Sequence, residues 1–293
     1  MAAGTEFDPA THWFPEWDHR TRGWAMCGNP VPLVVLCVIY VYLVKQWGPK
    51  WMSEKKPFEI RGVMVAYNLT LVLVNACLVL SLVRYGYVEK RYSLLGQGPD
   101  FATDSVSLLI VRLSWWYYVL RLFEFLDTVF FVLRKKYAQI SALHVCHHVV
   151  VAWNMWMNLT YGGQAQTLFV MVVNSSVHVV MYTYYFLSAL GPAFEKYIWW
   201  KRYLTQLQLA QFTVVFAHSS SYLFYKDNAI PGFTAIMTAE AVVFFLWFMS
   251  FYAHAYRKAG RNAFKKVRDS AAAASEALTK VAASCSPDQT KCD

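Results

Sequence analysis

Apolar residues in this chain fall into long runs that are separated by short polar segments. A helix needs about 20 residues to cross the hydrocarbon core of a membrane. Seven runs are long enough, at residues 29–47, 63–85, 107–133, 139–160, 164–189, 202–225 and 232–256. The pattern predicts an all-α membrane protein with seven transmembrane helices, numbered here as spans 1 to 7 in chain order.

Four of these spans carry polar side chains that repeat at helical spacing. Ionisable side chains inside a membrane are costly, and they usually mark a functional site. Steps of three or four residues keep the members of each group on one helix face. The groups are Arg121, Glu124, Asp127 and Thr128 in span 3, His144, His147 and His148 in span 4, Asn174, His178 and Tyr182 in span 5, and Thr205, Gln208 and Gln211 in span 6.

The four polar groups are also expected at a similar depth, because neighbouring spans run in opposite directions. Asp127 lies near the end of span 3, and His147 lies near the start of span 4. His178 precedes the end of span 5 by about ten residues, and Gln208 follows the start of span 6 by about six, at a rise of about 1.5 Å per residue. We predict one shared site near one membrane face.

Composition and charge agree with a membrane protein and orient it. The chain is 57% hydrophobic and 15% charged, whereas soluble domains carry about 25% charged residues. Of its 27 Lys and Arg residues, 19 lie on one side of the predicted bundle, in short clusters between apolar runs. This distribution argues against a nucleic-acid partner, and the positive-inside rule places the C-terminus in the cytosol.

Three regions follow from this topology. Residues 1–28 are expected to form an N-terminal segment on the non-cytosolic side, and residues 29–256 the seven-helix transmembrane domain. Residues 257–293 are expected to form a basic cytosolic tail that is disordered. The six cysteines include no CxxC pair, so they indicate neither a disulfide framework nor a Cys-based zinc site.

The HxxHH spacing of span 4 admits two chemistries. Histidine is the commonest transition-metal ligand, so a metal-dependent membrane lipid oxygenase or desaturase is one alternative. Membrane di-iron enzymes, however, need three such boxes, and this chain has one box and His178. The other alternative is acid–base or nucleophilic imidazole chemistry without a metal, in which a neutral imidazole accepts an acyl group from a thioester.

Several polar residues also admit a purely structural interpretation. Arg121 and Glu124 would then be an ion pair, and the Gln and Asn side chains would hold helices together. His218 and His254 are isolated, and Cys146 is expected to point away from the histidine face. A seven-span receptor is a non-enzymatic alternative, but it would not require the histidine box or the acidic face of span 3.

Four motifs in order resemble those of the ELO family of very-long-chain fatty acid elongases, the 3-ketoacyl-CoA synthases. They are LRLFEFLDTVFFVLRKK at residues 120–136, LHVCHH at 143–148, NSSVHVVMYTYY at 174–185 and TQLQLAQF at 205–212. One departure is Arg121, where many members have Lys.

The resemblance implies a seven-helix fold in which spans 2 to 7 enclose an acyl tunnel. The implied reaction condenses a long-chain acyl-CoA with malonyl-CoA, and it releases CO2 and CoA. His147 would accept the acyl group and His178 would position the malonyl group. Orientation and proton transfer would fall to His144, His148, Glu124 and Asp127. No metal or redox cofactor is implied.

The remaining implied roles concern binding, partners and location. The expected substrate-binding residues are Arg121, Asn174, Tyr182, Gln208 and Gln211 within the spans and Lys135, Lys136, Lys201 and Arg202 at the cytosolic mouth. The expected partners are acyl-CoA, malonyl-CoA, membrane lipid and other enzymes of the elongation cycle. The expected location is the endoplasmic reticulum membrane, with a luminal N-terminus. The sequence leaves a homodimer and the preferred acyl chain open.

Overall fold

The computed structural model describes residues 13–222, 224, 229–250, 252 and 253, and within these ranges the chain is helical without β-strands. The helices are α1 (Val31–Tyr42), α2 (Gly48–Trp51), α3 (Arg61–Leu82), α4 (Ser105–Phe123), α5 (Phe125–Leu133), α6 (Ala142–Tyr161), α7 (Leu168–Ala189), α8 (Lys201–Ser221) and α9 (Pro231–Ser250). π-helical turns at Leu43–Trp47 and Val83–Glu89 follow α1 and α3, and 3₁₀ turns lie at Tyr137–Gln139 and Pro192–Tyr197. The predicted all-α class is confirmed.

Five helical segments are long and apolar enough to cross a membrane. They are Val31–Trp51, Arg61–Glu89, Ser105–Leu133, Leu168–Ala189 and Pro231–Ser250. Each of the other two predicted spans also contains a long helix, α6 with 20 residues and α8 with 21. These two are less apolar because they carry the histidine box and several glutamines. The structure is thus that of a multi-pass helical membrane protein.

The polypeptide divides into two compact units, residues 1–246 and 247–293. In the second unit the described residues, 247–250, 252 and 253, are helical. The predicted tail at 257–293 and His254 lie outside the described residues.

Local signals set the ends of the helices that carry the polar groups. The Ser141 side chain accepts a hydrogen bond from the His144 backbone N–H at 3.1 Å, which caps the start of α6. Asp104 caps α4 in the same way, through the backbone N–H groups of Val106 and Ser107. Gly162 ends α6 with a φ of +77°, a left-handed conformation that glycine adopts without strain.

The bundle core forms where these helices pack against one another. α3 lies along α7 in the most extensive helix pairing, and α4 packs against α6. Buried apolar side chains between the helices include Leu71, Leu78 and Leu82 of α3 and Leu168 and Met171 of α7. This packing brings the polar faces of α4, α6 and α7 toward a common interior.

The segment before α1 is tied to the far end of α6. The Asp18 backbone N–H donates to the Thr160 carbonyl at 2.7 Å. The Asp18 carboxylate pairs with Arg20 at 2.7 Å, and both side chains are almost fully buried. Arg20 also donates to the Gln164 side chain at 3.2 Å. Because buried charges require such partners, this segment is an integral part of the fold.

The predicted third span is interrupted inside the polar group. α4 ends at Phe123 and α5 begins at Phe125, so Glu124 is the joint between them. Its backbone N–H still bonds to the Leu120 carbonyl, and its own carbonyl accepts from the Asp127 N–H three residues on, both at 3.0–3.1 Å. The tightened turn therefore separates Arg121 on one helix from Asp127 on the next.

Candidate active site

A buried guanidinium organises the centre of the site. Arg121 on α4 is 3% exposed, and its Nη2 donates to the Asn75 side-chain oxygen at 2.7 Å. The same Nη2 lies 3.0 Å from the Glu124 carboxylate, while Nη1 donates to the Asn174 side-chain oxygen at 3.1 Å. Arg121 and Glu124 therefore form an ion pair, and the hydrogen bonds of the guanidinium connect α4 to α3 and α7.

His178 on α7 joins this network mainly through its Nδ1 atom, while its Nε2 atom lies farther from Arg121 Nη1, at 3.3 Å. Its Nδ1 lies 2.6 Å from Arg121 Nη1 and 3.1 Å from Glu124 Oε1. A guanidinium can only donate and an ionised carboxylate can only accept, so one Nδ1 atom cannot serve both at once. The shorter contact favours Nδ1 as the acceptor of the Arg121 proton. The proton of a neutral imidazole then resides on Nε2.

Asp127 and Tyr182 form a second polar contact in the same interior. The Tyr182 hydroxyl donates to Asp127 Oδ2 at 2.6 Å. Tyr182 is fully buried, and its ring packs at 5.7 Å from the ring of His178. The predicted polar faces of spans 3 and 5 therefore meet.

The histidine box divides between two environments. The Nε2 of His144 lies 2.9 Å from the Thr128 hydroxyl, which also contacts the Tyr40 hydroxyl at 2.7 Å. The ring of His144 lies 4.5 Å from that of His148. His147 instead packs at 5.2 Å from the ring of Phe244, and neither of its ring nitrogens has a hydrogen-bond partner among the described residues. His148 likewise has no ring hydrogen bond within this part of the chain, so of the three box histidines only His144 is held by one.

A small cavity connects the histidines with the arginine network. Its free volume is about 10 Å³, and its lining consists of Arg121, Glu124, His147, His148, Val151, Asn174 and His178. A volume of that size holds about one water molecule. Six of the predicted site residues therefore share one cavity, but an acyl chain would require it to widen.

The predicted site residues of span 6 lie outside the cavity. Gln208 on α8 is half-buried and directs its side-chain N–H toward the Met181 sulfur at 3.6 Å. Gln211 is half-buried on the same helix. Neither lines the cavity.

The four basic residues predicted at the mouth also lie away from the cavity. Lys135 donates to the Ser53 carbonyl at 3.1 Å. Arg202 contacts the Tyr203 hydroxyl at 3.0 Å. Lys136 and Lys201 are exposed. Their predicted role in binding remains a prediction.

Three residues of the site were missed by the sequence analysis. Asn75 on α3 is fully buried against Arg121. Asn68 lies seven residues earlier on the same helix face, and this spacing of two polar residues in an apolar span could have identified the position. Tyr117 on α4 donates its hydroxyl to Asn174 at 2.7 Å and faces the Arg121 guanidinium. Tyr40 on α1 stacks on Phe125 at 4.2 Å. Tyrosines in apolar runs carry no comparable signal.

Two residues that the sequence analysis set apart from the chemistry, His218 and Cys146, do not line the cavity. His218 is buried and contacts the Leu94 carbonyl at 2.9 Å. Cys146 is exposed, whereas the three histidines of the box are half-buried. Among the described residues, no group of three or more His, Cys, Asp or Glu side chains has a geometry that could hold a metal ion.

Comparison with known proteins places this site in a family context. The model of the GNS1/SUR4 family, ELO, matches residues 25–263. A very long chain fatty acid elongase of Aedes aegypti is 37% identical over 256 residues, covering 87% of this chain and 72% of the relative. Very long chain fatty acid elongase 7 of Rattus norvegicus is 36% identical over 252 residues, with 85% and 89% covered. Very long chain fatty acid elongase 4 of Homo sapiens is 37% identical over 266 residues, with 88% and 83% covered.

The family match spans the bundle and every residue that lines the cavity. Both the matched length and the coverage of the relatives are far greater than a shared short motif would give. The chain belongs to the ELO (GNS1/SUR4) family.

Proposed function

We propose that this protein is a condensing enzyme of very-long-chain fatty acid elongation. It joins a long-chain acyl-CoA to malonyl-CoA and yields a 3-ketoacyl-CoA two carbons longer, with release of CO2 and CoA. The observation that carries the proposal is the shared cavity of His147 and His178, inside a chain of the ELO family. A nucleophile and a polarising group on facing helices are what a two-substrate acyl transfer requires.

The first half-reaction forms an acyl-imidazole on His147. A ring nitrogen of His147 attacks the thioester carbonyl, the C–S bond breaks, and the CoA thiolate leaves with a proton. His147 suits this role because it lines the cavity together with His178, and its ring nitrogens carry no hydrogen bond within the described chain. His148 shares both properties, so the choice of His147 follows from the resemblance to the family's motif. The Thr128 contact instead fixes the ring of His144, which supports His148 through their ring contact.

The second half-reaction forms the carbon–carbon bond. Malonyl-CoA loses CO2 to give an enolate, whose carbon attacks the acyl carbonyl. The C–N bond to His147 breaks, and the departing imidazole nitrogen takes up a proton from water, which restores the neutral side chain. Negative charge develops on the malonyl thioester oxygen during decarboxylation. An Nε2–H donor on His178 would stabilise that charge, because a preformed donor in a dry site lowers the barrier.

Arg121 gives His178 its orientation in this scheme. With Nδ1 accepting from the guanidinium, the imidazole is held in the Nε2–H form. Asn75, Asn174 and Glu124 in turn fix the guanidinium. Asp127 and Tyr182 hold α5 against α7 beside this network. Arg121 is thus a positioning residue, and its predicted direct contact with substrate is an alternative.

Substrate access requires features beyond the present cavity. We propose that all seven long helices span the membrane, and that the bundle opens into an acyl tunnel whose mouth faces the cytosol. Lys135, Lys136, Lys201 and Arg202 would bind the phosphates of CoA there. Gln208 and Gln211 would line the path. The membrane is proposed to be that of the endoplasmic reticulum, with a luminal N-terminus.

A condensation assay tests the proposed function. Purified protein is incubated with labelled malonyl-CoA and a panel of saturated and monounsaturated acyl-CoAs. The expected result is acyl-CoA-dependent release of labelled CO2 together with labelled 3-ketoacyl product. Binding of acyl-CoA without malonyl-dependent CO2 release would contradict the proposal.

A further inference from the structure

A second polar pair lies on the histidine side of the bundle, and the proposed reaction does not use it. The Asn154 side chain on α6 donates its amide N–H to the Glu240 carboxylate on α9. Asn154 is buried and Glu240 is half-buried. A carboxylate in a membrane-crossing helix is expensive to retain, so it calls for a functional explanation.

The pair lies on the same helix faces as His147. On α6, His147, Val151 and Asn154 follow at steps of four and three residues, and the first two line the cavity. On α9, Phe244 packs against the His147 ring, and Glu240 lies one turn before it. The seam between α6 and α9 therefore leads from His147 to the polar pair over about 10 Å, at about 1.5 Å per residue.

One hydrogen-bond acceptor of the pair is left open. The Asn154 Oδ1 atom is buried and has no partner among the described residues. An ionised Glu240 can only accept, so it requires the amide N–H group and turns the Asn154 oxygen away from itself. One turn further along α6, Asn158 repeats the arrangement: its amide donates to Thr167, and its Oδ1 is also without a partner in the described chain.

We propose that Asn154 and Glu240 form a selectivity subsite for an acyl chain that carries a hydroxyl group. This inference rests on the proposed function, because it takes His147 as the start of the acyl path. An extended hydrocarbon advances about 1.25 Å per carbon, given C–C bonds of about 1.5 Å. The subsite therefore lies about eight carbons from the thioester carbon. A hydroxyl at that position donates to Asn154 Oδ1.

A pair that only holds helices together would be built differently. Polar residues between membrane helices stabilise their contact when their hydrogen bonds are satisfied. Here an orienting carboxylate leaves one amide oxygen unsatisfied, and a buried unsatisfied acceptor is destabilising. The arrangement thus matches a ligand site better than a purely structural contact.

A comparison of substrates within one enzyme tests the subsite. Saturated C18 acyl-CoA is compared with the same chain hydroxylated near carbon 9 and with the same chain hydroxylated near the methyl end. The expected kcat/KM is about tenfold higher for the mid-chain hydroxyl than for the terminal one, the size of one buried hydrogen bond.

Variants connect this preference to the pair. Asn154→Leu removes the acceptor for the substrate hydroxyl. Glu240→Gln allows the Asn154 amide to turn, because a glutamine side chain can donate to Asn154 Oδ1 and so occupy the acceptor. Both should reduce the ratio of the two hydroxylated substrates toward one. Thr234→Val is the matched control, since it removes another α9 hydrogen bond, from Gln166 at 3.2 Å, and should leave the ratio at its wild-type value.

The possible outcomes separate this inference from the proposed function. If wild-type protein elongates the unsubstituted chain but shows no positional preference, the subsite is refuted and the elongase function stands. An unchanged ratio in Glu240→Gln and Asn154→Leu would also refute it, and would leave the pair as a structural contact. If wild-type protein fails to elongate even the unsubstituted chain, the proposed function itself fails.

Discussion

Nη1 of Arg121 on α4 lies 2.6 Å from Nδ1 of His178 on α7, in a part of the bundle where both side chains are buried. When Nδ1 accepts the arginine proton at this shorter distance, a neutral imidazole carries its own proton on Nε2. Arg121 takes no part in bond making in the proposed reaction. Its contact with His178 nevertheless affects the reaction, because His178 is proposed to act on the substrate.

Replacing this arginine tests that connection. Arg121→Lys keeps the charge, but one ammonium group cannot reproduce the planar set of contacts to Asn75, Asn174 and His178. We expect kcat for condensation to fall about 10- to 100-fold, the range typical of losing an orienting partner. Steady-state kinetics with malonyl-CoA and thermal unfolding would be measured together. Full activity in Arg121→Lys would show that the imidazole is oriented by something else.

The two histidines of the cavity are expected to fail at different steps. His147→Ala should lower condensation by about 10³-fold or more, as loss of a covalent nucleophile does, and should form no acyl adduct with acyl-CoA alone. His178→Ala should still release CoA and trap the adduct, yet make no ketoacyl product. Intact-protein mass spectrometry shows the adduct directly. A folded His147→Ala protein that still gains acyl mass would place the nucleophile elsewhere, with His148 and Cys146 the next residues to test.

Chelation distinguishes imidazole chemistry from the metal alternative. With purified protein and excess chelator, we expect condensation at the untreated rate, because the proposed steps use only side chains of this chain. The alternative of a metal-dependent oxygenase or desaturase predicts loss of activity on chelation and its recovery with added iron. Rates before and after dialysis against chelator decide between the two.

Stability should depend on pH through the cap of α4. Asp104 accepts from Lys90 Nζ at 2.7 Å, and this hydrogen bond lowers the pKa of its carboxyl below the usual range. A lowered pKa in the folded state stabilises the protein fully above the unfolded-state value of about 4, and the effect is lost as the pH falls through the folded-state pKa. Asp104→Ala should therefore lower the melting temperature at pH 7 but progressively less below about pH 4.

Asp104→Asn is the matched control for this position. Asparagine retains the N-cap but removes the charge that faces Lys90, so its melting temperature at pH 7 should fall between those of wild type and Asp104→Ala. Thermal unfolding in detergent across the pH range provides the measurement. A pH-independent difference between Asp104→Ala and wild type would exclude the ionised carboxylate as the cause.

The orientation of the chain is tested by protease protection. The excess of basic residues on one side predicts a cytosolic C-terminus. In sealed microsomes a C-terminal tag should be digested by added protease, and an N-terminal tag should be protected until detergent is added. A protected C-terminal tag would reverse the orientation and move the shared site to the opposite membrane face.

The sequence predicted those parts of the site that repeat along one helix. Glu124, His147 and His178 follow others of their group at steps of three or four residues, and the structure places them around one cavity. Asn75 could have been found from its seven-residue spacing to Asn68. Tyr40 could not have been found in this way, because the sequence around a tyrosine in an apolar run does not indicate whether its side chain contacts lipid or a histidine box.

The contacts that side chains make between helices could not be predicted from the sequence either. Spacing does not tell that His144 meets Thr128 while His147 faces the cavity, since this depends on how α6 is rotated against α5. Nor does it reveal the joint at Glu124. The acyl tunnel remains a prediction for a similar reason: its width depends on side-chain packing, and the cavity in the structure is about 10 Å³.

The buried Asp18–Arg20 pair has a practical consequence for handling this protein. Residues 18 and 20 form a buried ion pair against the end of α6. Removal of the segment ahead of the first span should therefore destabilise the bundle. A shortened chain starting near Pro30 would remove the Asp18 donor to the Thr160 carbonyl and the Arg20 donor to Gln164 Oε1. Fusion partners and epitope tags should therefore be attached ahead of residue 18, so that the buried ion pair and its hydrogen bonds to α6 are kept.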